Sequence, residues 1–278
     1  MTETEQQIAN LQAVRSSARL NALDRYYAAL FAPAAVRDDL MALAAFSGEI
    51  ARIGRQVSEP AVGEIRIAWW RDALLAAEHG AASGNPMLDV FAAVVKRHAL
   101  SSERIEDFLN AHAEALYSDA PADDGALNRR LRAIDGTPLA LAAKILGVAV
   151  DERANEVLDA AARAAGMARI GLELPYSLMH GRSPLPVTRS PNPFESPADW
   201  HPPIAWLAAE AAEAMAVVRR HLAEKPQAFI TALLPLALVG PYFRALQRPR
   251  HEPTRDLVEI APLARLSRIA RVHWTGRL

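Results

Sequence analysis

The chain has 278 residues, 51% hydrophobic and 23% charged, with a formal net charge of −1. Such a composition supplies apolar material for a large core and no basic field to gather nucleic acid. Cysteine is absent, which excludes disulfides, thiolate metal sites and cysteine nucleophiles and fits a reducing, cytoplasmic setting.

The first residues, Met1-Thr2-Glu3-Thr4-Glu5-Gln6-Gln7, are acidic and polar. They lack the basic-then-apolar order of a secretory signal, and residues 1–20 are expected to be loosely ordered. Helical periodicity then takes over. Val36, Leu40, Leu43, Phe46, Ile50, Ile53 and Val57 recur every three or four positions, one face of a long helix over residues 36–57 that Pro60 closes. Further helices are expected over 61–78, 88–98 and 101–117, the last capped by Ser101 or Ser102. A turn-rich break follows at 119–125. Residues 126–150 read as helical, interrupted near Asp135-Gly136-Thr137-Pro138. Residues 152–180 form a long, alanine-rich helix that Pro175 kinks or ends.

The stretch 181–203 carries Pro184, Pro186, Pro191, Pro193, Pro197, Pro202 and Pro203, and is expected to be a crossing loop within one all-α domain spanning 1–278. Helices over 204–223, 227–246 and 257–272 complete the chain. The most apolar run, 229–239, is too short for a membrane span and contains Pro235, so it reads as a kinked core helix. In the last helix Leu263, Leu266, Ile269 and Trp274 alternate with Arg265, Arg268 and Arg271. That pattern suits a terminal helix docked by one face, or an interfacial helix drawn to anionic lipid.

No two of the eight histidines are three to five residues apart, so no histidine zinc site is expected. The serines lack a nucleophile elbow. Trp69 and Trp70 lie between Arg66 and Arg71. One tryptophan is expected in the core and the other, with Arg71, on a partner surface. Alanine and glycine crowd residues 160–166, which suits close helix packing.

Three motifs carry a resemblance. They are Tyr26-Tyr27-Ala28-Ala29-Leu30-Phe31-Ala32-Pro33 with Arg37 and Leu43-Ala44-Ala45-Phe46; Gly136-Thr137-Pro138-Leu139-Ala140-Leu141-Ala142-Ala143-Lys144-Ile145-Leu146-Gly147; and Gly181-Arg182-Ser183-Pro184-Leu185-Pro186. Their order and spacing resemble the squalene/phytoene synthase family. The resemblance implies an all-α isoprenoid-synthase fold around a central cavity. It also implies head-to-head joining of prenyl diphosphates, with magnesium held by two facing aspartate motifs. Aligned on Phe46 and on Gly181-Arg182, this chain has Ala51, Arg52 and Arg55 at the first motif and Glu173 and Ser177 at the second. Guanidinium groups repel magnesium, so the usual catalysis is not expected here.

Residues 45–53, 57–60 and 63–70, together with Leu174-Pro175-Tyr176, resemble the branch that lacks these aspartates and includes the mitochondrial complex I assembly factor. This implies a binding or assembly role. The expected ligand or interaction residues are Glu49, Arg52, Arg55, Glu173, Tyr176 and Arg182. Glu49, Arg52, Arg55 and Glu173 form an ion-pair network in place of magnesium, or Arg52 and Arg55 grip an anion directly. No metal is expected, magnesium entering only if prenyl transfer is retained. The expected partners are a protein at a membrane face and a prenyl or lipid ligand in the cavity, with the chain cytoplasmic or peripheral on the membrane.

Overall fold

The computed structural model describes residues 3–117, 119–191, 199–222 and 226–278. Among them every regular element is helical, an all-α fold.

Three helices open the chain: α1 (Glu3–Asn21), α2 (Leu23–Leu30) and α3 (Ala34–Gln56). The loosely ordered N-terminus expected from the sequence is replaced by α1, which packs along α3. Its apolar seam is narrow, with Val14 and Ala18 buried one turn apart while most neighbours face solvent. A seam that thin leaves almost no periodic signal. Pro60, expected to close the long helix, instead opens α4 (Pro60–Glu78); the missing N–H is harmless in a first turn.

Two capped helices follow. In α5 (Pro86–His98) the Asn85 side chain accepts from the backbone N–H groups of Met87 and Leu88. In α6 (Ser102–Glu114) Ser101 is the cap, accepting from the Arg104 N–H at 3.2 Å. The helix α7 (Asp124–Leu131) widens into a π-type turn, Arg132–Gly136, and continues as α8 (Thr137–Ile145). The expected interruption is therefore a widened turn that leaves Asp135 buried.

The long helix α9 (Glu152–Met179) runs through Pro175 without ending. It lies along α10 (His201–Leu222), which starts earlier than expected because Pro202 and Pro203 fit a first turn. Residues 192–198 of the proline-rich loop lie outside the described residues. The apolar run divides into α11 (Gln227–Leu233), a 3-10 turn Leu234–Leu238 holding Pro235, and α12 (Val239–Leu246). This stretch, Gln227–Leu246, is long and apolar enough to cross a membrane, but 67% of its most apolar window is buried within the fold. The last helix is α13 (Pro262–Thr275).

Two apolar clusters result. One gathers α1 and α3 to α6 around Phe46, which stacks on Phe91 at 4.1 Å and meets Trp70 and Phe108 at 5.7 Å each. The other gathers α7 to α13. Phe46 anchors one face of α3 in the first cluster. Arg55 lies nine residues on, about 180° around the helix, and faces α9 instead.

Candidate functional site

A cavity of about 590 Å³ opens where the two clusters meet. Its walls come from α2, the C-terminal ends of α1 and α3, the π-type turn, α9, α12 and α13. Arg55 on α3 reaches Glu173 on α9 at 3.7 Å. Glu173 also accepts from Arg169 one turn earlier at 3.2 Å. Arg169 in turn grips Asp135 in a two-point fork, at 2.8 and 2.9 Å. Arg55, Glu173, Arg169 and Asp135 thus form a continuous alternating chain of charges. Burial works against the Arg169 guanidinium, but Asp135 and then Glu173 outweigh it and raise its pKa.

The same chain borders a smaller pocket of about 100 Å³, which holds Ala51, Ser177 and His112. Arg55, Arg169, Glu173 and Tyr176 line both spaces, so these side chains partition the interior between α3 and α9. Burial, and then the cations Arg169 and Arg25, push the His112 imidazole down to about 3. At the opposite wall Asp24 accepts from the Tyr242 hydroxyl and from Arg265, each at 2.6 Å. Burial, and then Asp24, push the Tyr242 phenol up.

The residues picked out from sequence separate into groups. Arg55, Glu173 and Tyr176 line the cavity. Glu49 instead faces α1, where Ser17 and Asn21 donate to it at 2.8 Å, and Arg52 pairs with it at 2.8 Å. The single network expected from the sequence is therefore split, with Glu49 and Arg52 apart from Arg55 and Glu173. Arg182 is turned to the end of α3, donating to the carbonyls of Gly54 at 2.8 Å and Val57 at 3.2 Å. That is helix-end capping by a cation, with both terminal nitrogens engaged.

Trp70 is buried against Phe46 and Trp69 is 43% exposed. Arg71 donates to Asn110 and lines a separate apolar groove of about 720 Å³ between α4, α5 and α6. Sequence reasoning missed Arg25, Asp24, Asp135, Arg169, Tyr242 and Arg265. The available signals were the i,i+4 spacing of Arg169 and Glu173 and the charged pair just before Tyr26. The contacts of Asp24 with residues 242 and 265 left no local trace.

The model of the squalene/phytoene synthase family matches residues 19–277. The chain belongs to this family. Among solved structures it is similar to squalene synthase HpnC from Alicyclobacillus acidocaldarius, with 16% identity and a TM-score of 0.67, over 97% of this chain and 96% of that one. It is also similar to a dehydrosqualene synthase solved in complex with ligand, with 12% identity and a TM-score of 0.70, over 96% and 97% of the two chains. At these identities the likeness carries the fold. No curated protein matches.

Within this squalene/phytoene synthase fold, the residues present do not fit a magnesium–diphosphate cage. Among the described residues no three His, Cys, Asp or Glu side chains converge on one point. Glu173 and Asp135 already accept from guanidinium groups. A divalent ion there would have to displace those cations and then sit beside them.

Proposed function

We propose that this protein is a non-catalytic member of the squalene/phytoene synthase family, acting as a binding or assembly protein. The observation that carries the proposal is the alternating chain Arg55, Glu173, Arg169, Asp135 between α3 and α9. A condensing enzyme needs carboxylates free to hold magnesium against diphosphate. Here both carboxylates of that chain, the buried Asp135 and the half-buried Glu173, are already paired with arginine.

The resemblance of residues 45–53, 57–60, 63–70 and 174–176 to the aspartate-lacking branch with the complex I assembly factor supports respiratory complex assembly as the setting. The exposed Trp69 and the groove beside Arg71 supply a surface for a protein partner. The cavity supplies a place for a prenyl or lipid ligand. Arg271 on α13 is exposed and Arg268 is half-buried; a basic face of this kind suits work at an anionic membrane face from the cytoplasm.

Incubation with farnesyl or geranylgeranyl diphosphate and magnesium is expected to release no pyrophosphate. Release above a no-protein blank would establish the enzymatic alternative, prenyl-diphosphate transfer by head-to-head condensation.

A further inference from the structure

The wall of the larger cavity carries four arginines, Arg25, Arg55, Arg169 and Arg265, and three enclosed carboxylates, Asp24, Asp135 and Glu173. A fourth carboxylate, Glu259, is exposed at the rim, where water screens it. Four positive charges against three negative ones leave one unbalanced inside.

The pairing identifies it. Asp24 is taken by Arg265, Asp135 by Arg169, and Glu173 by Arg55 and Arg169. Among the described residues Arg25 forms no ion pair; its hydrogen bond is a long one, 3.3 Å, to the Ser47 hydroxyl. Burial pushes its pKa down, only partly countered by Asp135 and Asp24. A desolvated guanidinium with so little compensation is costly unless something else answers it. The same cavity wall carries the aliphatic side chains of Leu139, Leu172, Leu236 and Val239. Leu20 and Leu257 line the same space and are 77% and 54% exposed, an apolar lip on the solvent side.

We propose that the cavity binds, without metal, one amphiphile with a singly charged anionic head group, the head on Arg25 and the apolar tail along α9 and α12 toward the Leu20–Leu257 lip. One free guanidinium matches one carboxylate or phosphate diester, in the two-point geometry that guanidinium favours. A diphosphate would bring excess negative charge into a wall that has only one cation to spare. The volume lies within the range of about 300–1,000 Å³ usual for small-molecule sites. The inference rests on the non-catalytic reading for its independence from magnesium, but it is tested by binding and not by turnover.

The test is calorimetric titration of the full chain in EDTA with dodecanoate, dodecyl methyl phosphate (a singly charged diester), dodecanol and inorganic phosphate. At least one of the two anionic amphiphiles is expected to bind about tenfold or more tighter than dodecanol, with no change when magnesium replaces EDTA. Whichever anion binds tighter names the head-group chemistry. Arg25→Met is expected to erase the preference over dodecanol, and Arg25→Lys to retain part of it. Equal affinity for dodecanol and both anions in the wild-type chain would overturn the proposal even if the variants fail to fold. So would binding of inorganic phosphate as tight as that of dodecyl methyl phosphate. Pyrophosphate release from prenyl diphosphates would sink the non-catalytic reading, whereas loss of head-group selectivity would sink this inference alone.

Discussion

His112 has its ring against Phe108 at 4.6 Å and shares its pocket with Arg169. With its folded pKa lowered to about 3, it stays neutral where an unfolded chain's histidine takes up a proton. Between pH 6.5 and 3 the unfolded state therefore binds more protons at this site, and stability falls as pH falls. Each pH unit below 6.5 costs about 1.4 kcal/mol from this residue. His112→Phe is expected to flatten the acid side of the stability profile by about 2 kcal/mol at pH ~5, read from urea unfolding. Parallel profiles for the variant and its parent would contradict the assignment. The sequence exposed the histidine but not its environment, since Arg169 lies 57 positions away.

At the scale of the helix, close approach decides what a residue is for. A Cβ placed on Gly48 would lie 2.8 Å from the Asn21 Cβ and 3.0 Å from the Asn21 carbonyl carbon. One on Gly166 would meet the Asp135 carboxylate at 2.6 Å and Leu131 at 2.5 Å. Alanine is the better helix former by about 1 kcal/mol, so intrinsic propensity argues that Gly48→Ala stabilises α3. The contact with α1 argues the reverse, and backbone atoms there cannot swing aside. Gly48→Ala is expected to lower stability by about 1–3 kcal/mol, measured as the free energy of urea unfolding. A rise would show that α1 does not sit against α3 as described. Length and periodicity made α3 and α9 legible. They could not reveal α1, whose buried apolar seam is only Val14 and Ala18, nor show that α9 continues through Pro175.

Across the whole molecule, polar links tie the two apolar clusters together around the cavity. Arg182, just beyond α9, closes the end of α3. Arg55 and Glu173 join α3 to α9, and Asp24 with Arg265 joins α2 to α13. Arg182→Ala is expected to cost about 2–3 kcal/mol, the worth of charged hydrogen bonds to two carbonyls left with a partly dry end. Cavity binding of the anionic amphiphile should be unaffected, because Arg182 lines the smaller pocket and not the larger one. Unchanged stability with weakened binding would return Arg182 to the role of ligand residue that its motif suggested.

The sequence by itself determined that the chain is all-helical, and its motifs carried the resemblance to the squalene/phytoene synthase family. Helicity is a property of residue type and local period, carried by neighbours three or four positions apart. Only the tertiary structure decided which charges meet. Glu49 turned to α1, Arg182 to the end of α3, and Arg25 was left as the cavity's spare cation. Such pairings depend on the rotation and approach of helices far apart in the chain, where a turn of about 100° per residue separates a ligand from a structural tie.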